Sequence, residues 1–272
     1  MASRNPGQGR KTSIGVIGYG FIGQNLVRRI QAHADQMELA FVHARRREQA
    51  ADIPEETFLS HLSQVEAHGA DVIVEAAHPL FTTDFGTRFL RHSDYLPLST
   101  SALTDEGLCD RLLETARRNG TRLLLAAGAL IGGEELVKRS NRWDRVRITF
   151  RKNPGNIDFS GVDFDAGDVT SARTVFDGPV REIAARYPRN VNTMVTAALL
   201  STGVNACEGV LVADPSLDCA IAEVEAWGSD GGYFRTEKRQ PARGVSGTEM
   251  IDSVWHSLRQ AGGLSTGEFE LV

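Results

Sequence analysis

The chain has 272 residues, which at roughly 150 residues per domain corresponds to one large or two small domains. Its 30 basic and 35 acidic residues give a net charge of -5, which argues against a nucleic-acid partner because nucleic-acid-binding domains are usually basic. No apolar run approaches the roughly 18 residues of a membrane-spanning helix, so no membrane partner is expected.

The first ten residues, MASRNPGQGR, are polar and lack the apolar core of a secretory signal. We therefore predict a disordered tail over residues 1–10. The three cysteines, Cys109, Cys207 and Cys219, are scattered and odd in number, which fits a reducing cytoplasm and predicts no metal site.

Strands alternate with helices in the first half of the chain. Short apolar runs predict five strands, at Ser13–Gly18, Met37–Val42, Asp71–Glu75, Tyr95–Thr100 and Arg122–Ala127. Helical spacing predicts helices over Phe21–Ile30 and Thr104–Asn119, the second with Thr104 as its N-cap and Gly120 as its stop. This alternation indicates an α/β fold with a doubly wound parallel sheet.

After Gly128 the pattern changes to that of strands with one solvent-exposed face, separated by only two helices. The predicted elements are strands at Arg145–Lys152, Ala172–Phe176, Gly209–Ala213, Ile221–Trp227 and Tyr233–Lys238, and helices at Val180–Arg186 and Val191–Thr202. A last helix over Thr248–Leu258 is expected to pack back on the first domain. We therefore predict one domain of residues 11–127 and 246–272, with an α+β domain of residues 128–245 inserted.

A glycine motif follows the first predicted strand and opens the first helix. It reads Gly18-Tyr19-Gly20-Phe21-Ile22-Gly23, a G-x-G-x-x-G pattern. The first glycine permits a tight turn, the second lets the backbone approach a pyrophosphate, and the third lets helix and strand pack closely. The strand–turn–helix context favours dinucleotide binding by these six residues, the alternative being a glycine-rich turn of another α/β protein.

The end of the second strand distinguishes the two nicotinamide dinucleotides. An NAD site usually carries an acid there for the ribose 2′-hydroxyl, whereas this chain has Ala44, Arg45, Arg46 and Arg47. A guanidinium suits a 2′-phosphate, so we predict cofactor contacts from Ala44, Arg45 and Arg46 and a preference for NADP, with NAD possible. The alternative is that the arginines simply coat a solvated helix start.

The remaining cofactor contacts are expected where the next strands end, because ligands of doubly wound sheets lie at the carboxyl ends of strands. Ala76, Ala77 and His78 end the third predicted strand, and Ser101 follows the fourth. Ala129 lies in a second glycine segment, at the end of the fifth.

Five segments resemble motifs of the L-aspartate dehydrogenase family. They are Glu75–Pro79 (EAAHP), Ser99–Ala102 (STSA), Gly128–Gly133 (GALIGG), Tyr187–Asn192 (YPRNVN) and Val212–Pro215 (VADP). Their order and spacing match the family over nearly the whole chain, from about Ile14 to Leu258, and the YPRNVN and VADP pair is the most specific part.

The resemblance implies a Rossmann domain, an inserted α+β substrate domain whose sheet often serves for dimerisation, and a returning C-terminal helix. It also implies a homodimeric NAD(P)-dependent oxidoreductase of amino-acid metabolism. Its substrate would be a small amino acid, with L-aspartate as first choice, interconverted with iminosuccinate or with oxaloacetate and ammonia. The alternatives are a paralogue that reduces another imine or oxo acid, and a cofactor-binding protein without turnover.

The chain departs from the family pattern at three places. The family's N-I-H-E motif falls on Ala220–Glu223, so that Ala222 stands where the family has its catalytic histidine. Leu130 is an extra residue in the second glycine segment, and Ala44 stands at the family's acidic ribose ligand. Because general acids and bases typically contribute about 10²–10⁴-fold in rate, the missing histidine calls for a substitute.

His78 is the first candidate for that catalytic role, and the alternative is a polar loop residue beside Pro79. Asn192 is expected, by the family pattern, to bind the nicotinamide carboxamide or the substrate, whereas Asn190 is the better candidate for the helix N-cap. Lys152 is a candidate for holding a substrate carboxylate, with a solvated strand end as the alternative.

Overall fold

The computed structural model describes residues 10–243, 246–247 and 249–264, so residues 1–9 of the predicted tail lie outside the described residues. The chain divides into two compact units, residues 1–126 with 251–272 and residues 127–250. Within the described ranges, no helix combines the length and the apolar character that crossing a membrane requires.

The first unit contains a four-stranded parallel sheet. Its strands are β1 (Thr12–Ile17), β2 (Met37–His43), β3 (Val72–Glu75) and β4 (Asp94–Pro97), in the order β2–β1–β3–β4. Every residue of β1 and β3 is buried, as near-continuous apolar runs indicate for the central strands of such a sheet. The register aligns Ile17 with His43 and with Glu75, so the carboxyl ends of these strands meet at one edge.

Three helices connect these strands or follow them. They are α1 (Phe21–Ala32), α2 (Pro79–Phe89) and α3 (Glu106–Asn119). In α1 the residues Leu26, Val27 and Ile30 recur at helical spacing and are buried. The connection from β2 to β3 contains short 3₁₀ turns, of which the longest is Leu62–His68.

The structure corrects the predicted start of α3 and adds α2, where the sequence predicts no helix. The N-cap of α3 is Asp105, whose carboxylate accepts a hydrogen bond from the Leu108 amide at 2.9 Å. Thr104 was the wrong choice, because its hydroxyl instead donates to the Ser101 carbonyl at 2.8 Å. Gly120 ends α3 in the left-handed conformation, as predicted.

The predicted fifth strand, Arg122–Ala127, is also corrected. The segment pairs with β4 through a single isolated bridge, between Tyr95 and Leu123. The Asp94 carboxylate accepts the Arg122 backbone amide at 2.7 Å and its guanidinium at 2.6 Å. This side chain therefore takes the place of a ladder carbonyl, and the segment leaves the sheet after one pair.

The second unit contains a six-stranded mixed sheet, which fits the predicted α+β class. Its strands are β5 (Trp143–Lys152), β6 (Arg173–Pro179), β7 (Glu208–Ala213), β8 (Cys219–Gly228), β9 (Tyr233–Arg243) and β10 (Ser246–Gly247). The order is β10–β9–β8–β5–β7–β6, in which β5 and β7 are parallel and the other neighbours antiparallel.

One face of this sheet forms the core of the second unit. The helices of the unit are α4 (Gly133–Lys138), α5 (Val180–Arg186) and α6 (Asn192–Leu199). Val146 and Ile148 of β5 pack in one apolar cluster with Ile183 of α5 and Met194 of α6. The opposite face carries charged pairs, such as Arg145 with Glu208 at 2.8 Å.

The last helix, α7 (Met250–Ala261), lies against α1 in the first unit. Arg29 forms an ion pair with Asp252 at 2.5 Å, and the rings of His33 and Trp255 stack at a centroid distance of 4.9 Å. Val254 and Leu258 are fully buried on the inner stripe of the helix.

Candidate active site

The glycine motif forms a tight turn between β1 and α1. Gly18 adopts a φ of +97°, and a Cβ at this position would lie 2.6 Å from the Ala76 carbonyl oxygen. A Cβ on Gly23 would lie 1.9 Å from the Gly18 carbonyl oxygen, so helix and strand are packed as closely as the motif predicts. Gly20 differs, because nothing lies within 4 Å of the Cβ that it lacks. The open space at Gly20 is where a phosphate can approach the backbone.

The start of α1 is suited to an anion. Its N-cap is Gly20, no side chain caps it, and its first turn contains no acidic residue. Phe21, predicted to contact the cofactor, exposes its side chain, and Ile22 is half-buried. Helix-terminal amides and the positive end of the helix dipole favour negative charge. The residues of this turn therefore fit the pyrophosphate of a dinucleotide.

Tyr19 anchors the glycine loop instead of contacting solvent. Its hydroxyl donates to the Asp52 carboxylate at 2.6 Å. Burial, together with this hydrogen bond, raises the pKa of Tyr19 to about 12. Tyr19 therefore remains a neutral donor and ties the loop to the segment that follows β2.

The arginines after β2 are not equivalent. Ala44 is buried, whereas Arg45 and Arg46 are exposed and form no ion pair with any described residue. Arg47 is held in place, since it pairs with Glu55 at 3.2 Å and its guanidinium lies 4.7 Å above the Phe58 ring. Two of the three guanidiniums are thus available to a ligand.

The buried side chain of Glu75 links the turns that follow β3 and β4, at the carboxyl ends of these strands. Glu75 accepts hydrogen bonds from the Ala77 amide at 2.6 Å, the Ser99 amide at 3.1 Å and the Ser99 hydroxyl at 3.0 Å. Burial raises the pKa of Glu75, although these donors oppose the shift. Glu75 thereby joins the turns after β3 and β4, a role that the motif EAAHP had not suggested.

The predicted cofactor contacts from these two turns differ in exposure. Ala76 is half-buried, Ala77 and His78 are exposed, and Ser101 is buried. His78 is the N-cap of α2, and its Nδ1 accepts a hydrogen bond from the Leu80 amide at 3.2 Å. That contact assigns the hydrogen to Nε2, which is the nitrogen left to face a ligand.

In the second unit, Ala129 and Asn192 come together at the start of α6. The Ala129 amide donates to the Thr193 hydroxyl at 3.4 Å, and Asn192 is the first residue of the helix. The N-cap is Val191, so Asn190 was the wrong candidate. Asn190 instead binds the backbone of Asp158, accepting from its amide at 2.9 Å and donating to its carbonyl at 2.7 Å.

These residues border a cavity of about 60 Å³ within the second unit. Its lining comprises residues from β5, β8, β9 and the chain around α6, namely Ala129, Phe150, Lys152, Arg189, Asn190, Asn192, Thr193, Ala220, Ile221, Ala222, Gln240 and Met250. Arg189 and Lys152 are basic residues, and no acidic side chain belongs to the part of the lining that the structure describes. The cavity is therefore suited to an anion.

Comparisons with known proteins place this geometry in a family. The family model described as aspartate dehydrogenase, C-terminal, matches residues 136–260, and the model described as homoserine dehydrogenase, NAD binding domain, matches residues 18–126. The aspartate dehydrogenase domain-containing protein of Xenopus tropicalis is 36% identical over 267 residues, which are 92% of this chain and 94% of that protein. The chain belongs to the aspartate dehydrogenase family.

Bacterial proteins extend this relationship. The L-aspartate dehydrogenase of Ralstonia pickettii is 30% identical over 238 residues, 84% of this chain and 88% of that protein. The crystal structure of aspartate dehydrogenase from Thermotoga maritima shares the fold, with a TM-score of 0.75 at 24% identity, and covers 97% of this chain and 100% of that one. As a member of the aspartate dehydrogenase family, this chain is an NAD(P)-dependent oxidoreductase of the amino-acid dehydrogenase class. The predicted family, enzyme class and fold are confirmed.

Two buried polar side chains, Lys152 and Gln240, line the cavity. Lys152 is 6% exposed, which excludes the solvated strand end considered from the sequence. Burial lowers the pKa of Lys152 to about 8, and its Nζ lies 5.2 Å from the centroid of the Phe150 ring. Gln240 is 5% exposed, and its Oε1 has no hydrogen-bond partner among the described residues. Sequence reasoning missed Gln240, because no local pattern marks it.

Proposed function

We propose that the chain interconverts L-aspartate with iminosuccinate, or with oxaloacetate and ammonia, by hydride transfer to and from NADP. The observation that carries this proposal is the lining of the cavity, in which Arg189 and Lys152 attract carboxylates and Gln240 Oε1 accepts a hydrogen bond from an amine. The family membership and the name of the Ralstonia relative support the same substrate.

The nicotinamide supplies or accepts the hydride when it is bound, and the chain orients the reactants. In this proposal the turn from Gly18 to Gly23 binds the pyrophosphate, while Ala76, Ala77, His78 and Ser101 contact the cofactor at the strand ends. Ala129 and Asn192 of the second unit contact its nicotinamide end, as the resemblance implies.

Ala222 lines the cavity, and the resemblance puts the family's catalytic histidine at this position. Its methyl group cannot transfer a proton. His78 lies in the other unit of the chain, where its Nδ1 is engaged in capping α2, so we propose that it contacts the cofactor through Nε2. The proton donor to the substrate must then come from another group, which the next subsection addresses.

Turnover with matched acids tests the substrate. We expect the unsubstituted chain to oxidise NADPH in the presence of ammonia with oxaloacetate, and much more slowly with pyruvate, which lacks the second carboxylate. Arg189→Ala should raise the KM for oxaloacetate roughly 10–150-fold, which corresponds to the loss of a charged hydrogen bond of about 1.5–3 kcal/mol. Arg186→Ala, outside the lining of the cavity, should not. Activity with other oxo acids only would identify a paralogue of different specificity, and tight NADPH binding without any turnover would identify a binding protein.

The proposed preference for NADP is supported by the two exposed arginines at the end of β2. Arg45→Ala with Arg46→Ala should weaken NADP binding at least roughly 10-fold while leaving NAD binding within about 2-fold, because only NADP carries the 2′-phosphate. Arg118→Ala, an exposed arginine of α3 paired with Glu114, is the matched control. Equal losses for both cofactors would overturn the preference.

We also propose a homodimer in the cytoplasm. Cross-strand charge pairs on one face of the six-stranded sheet, such as Arg235 with Glu223 at 2.6 Å, offer a surface of alternating sign that a second copy can complement. Cys109, Cys207 and Cys219 are free thiols, as suits a reducing compartment. Light scattering coupled to size exclusion measures the assembly, and a monomer at micromolar concentration would contradict it.

A further inference from the structure

The cavity of the second unit rests on two adjacent rows of side chains that cross three strands. One row contains Phe150, Ala222 and Lys238. The next pairs Ala220 with Gln240, and Lys152 lies at its β5 end, one residue beyond the pair of Arg151 with Ile221. Phe150 is opposite Ala222, and Ala220 is opposite Gln240; Lys152 follows Phe150 by two residues and therefore shares its face. The two alanines are the small residues at the centre, and longer side chains surround them.

Lys152 is placed to use the space above Ala222. Because Phe150 is directly opposite Ala222, Lys152 is a diagonal neighbour of Ala222, and diagonal pairs of antiparallel strands lie roughly 7–8 Å apart. A four-carbon stem can span that separation. Lys152 and Ala222 line the same cavity, so the lysine ammonium group can reach the space that the short side chain of Ala222 leaves open.

The charges around Lys152 favour a group that changes protonation state near neutral pH. Arg189 lines the same cavity and pairs with Asp158 at 2.7 Å, and Lys238 of the neighbouring row pairs with Glu249 at 2.9 Å. The described residues of the lining include no carboxylate, and burial lowers the pKa of Lys152 to about 8. A pKa close to the working pH is what an efficient general acid or base requires.

We infer that Lys152 Nζ transfers the proton to and from the substrate nitrogen in this chain, in place of a histidine at position 222. This inference rests on the proposed function. In reduction, the hydride adds to the imine carbon while the Lys152 ammonium gives its proton to the imine nitrogen. The C=N π bond breaks, new C–H and N–H bonds form, and Lys152 is left as a neutral amine that solvent reprotonates. In oxidation the same step runs in reverse: the substrate, as a neutral amine whose extra proton has gone to solvent, loses a hydride from its α carbon while neutral Lys152 takes the proton from its nitrogen, and the C=N π bond forms.

Gln240 is a positioning residue for the same step. Its Oε1 lies in the row of Lys152, is buried and has no partner in the described part of the chain. A substrate N–H donated to this oxygen would be held at the side of the cavity that Lys152 occupies. Gln240→Leu should therefore lower kcat and leave the apparent pKa of the pH–rate profile in place.

Kinetics separate proton transfer from carboxylate binding. We expect Lys152→Arg to lower kcat about 10²–10⁴-fold with KM changed less than about 3-fold. Lys152→Met should lower kcat by as much and also raise KM, because it removes the positive charge. Both should abolish the limb of the pH–rate profile near pH 8. Arginine keeps the positive charge but does not give up its proton. It can therefore still bind a substrate carboxylate, but it cannot act as a general acid. Lys138→Arg, on the surface of α4, is the control and should retain wild-type kinetics. Wild-type kcat in Lys152→Arg would overturn the inference.

A rescue and a titration complete the test. Adding Ala222→His to Lys152→Met should restore at least about 10-fold in kcat and move the limb toward the histidine range near pH 6.5. The chain has four lysines, Lys11, Lys138, Lys152 and Lys238, so ¹³Cε-lysine NMR resolves Lys152 without turnover. We expect its midpoint near pH 8, and a midpoint at the ordinary 10.4 would overturn the inference.

These outcomes distinguish two failures. No turnover of any oxo acid by the unsubstituted chain would overturn the proposed function and the role of Lys152 with it. Turnover that Lys152→Arg leaves unchanged would overturn the assignment of the lysine alone.

Discussion

Glu75 and Lys152 are buried ionisable residues at the ends of strands, and their surroundings shift their pKa values in opposite directions. Glu75 is surrounded by donors, the amides of Ala77 and Ser99 and the Ser99 hydroxyl, which partly offset its loss of hydration. For Lys152 burial is the sole cause of the lowered pKa. Glu75 is held among these donors and joins two turns, whereas the lowered pKa of Lys152 brings the loss of its proton close to neutral pH.

Replacing Lys152 with Met tests the cost of its burial. A lysine whose pKa falls from 10.5 to about 8 destabilises the folded state by about 3 kcal/mol at pH 7. We expect Lys152→Met to raise the free energy of unfolding by about that amount. The gain should disappear as the pH rises from about 8 to 10.5, because in that window only the unfolded lysine binds the proton. Urea unfolding at several pH values measures it, with the exposed Lys138→Met as control; a gain independent of pH would contradict the assignment.

Replacing Glu75 with Gln tests the contribution of the buried carboxyl group to stability. Glutamine offers one acceptor oxygen where glutamate has two, and its NH₂ group would face the amides of Ala77 and Ser99, which are themselves donors. We therefore expect Glu75→Gln to lower the free energy of unfolding by about 1–3 kcal/mol at pH 5. Because burial raises the pKa of Glu75, the folded wild type holds its proton to higher pH than the unfolded chain, and its stability falls as pH rises through that window. The difference between variant and wild type should therefore narrow from pH 5 to pH 8 in urea unfolding. A widening difference is the contrary result.

Sequence reasoning found the parts of the site that are local in the chain. The turn from Gly18 to Gly23 and the arginines after β2 follow from neighbours within a few residues. The row of Lys152, Ala220 and Gln240 depends on the register of three strands, which no local pattern specifies. Lys152 was singled out for a different role, and Gln240 was not noticed at all.

At the scale of the element, the loop between β1 and α1 combines a packing glycine with an open one. A Cβ on Gly23 would collide with the backbone of Gly18, whereas a Cβ on Gly20 would enter empty space. We therefore expect Gly23→Ala to destabilise the fold by at least about 1 kcal/mol. Gly20→Ala should leave the thermal midpoint unchanged and weaken NADPH binding at least about 10-fold, because the methyl group occupies the approach of the phosphate. Thermal unfolding and NADPH fluorescence titration measure both; equal effects at the two sites would refute the distinction.

The elements that the sequence predicted well have strong local patterns. The apolar run of β1 and the helix α5 lie where they were expected. The segment Arg122–Ala127 is as apolar as a strand, but the Asp94 carboxylate takes the Arg122 amide, a competition that depends on a residue far away in sequence. The helix α2 was missed because its start signal, a histidine N-cap before Pro79, is an unusual one.

At the scale of the whole molecule, each unit has its own sheet and its own buried apolar residues. Trp255 belongs to the first unit, and Trp143 and Trp227 belong to the second. We expect NADPH at 100 times its Kd to stabilise the unit that binds it by about 2.7 kcal/mol. The unfolding transition of a variant that keeps only Trp255 should shift accordingly, and the transition seen in Trp255→Phe should shift less. Identical shifts would mean that the units unfold as one.

The cavity of the second unit, which Ala220 and Ala222 line, also has a consequence for the order of folding. Lys152, Ala220 and Gln240 are brought together only when β5, β8 and β9 have all paired. Contacts between residues so distant in sequence form slowly, because loop closure precedes any gain in energy. The lowered pKa of the lysine therefore arises only once β5 has paired with β8, and chains without that pairing carry an ordinary, fully charged lysine. Protonation of a single side chain thus reports the joining of these strands during refolding.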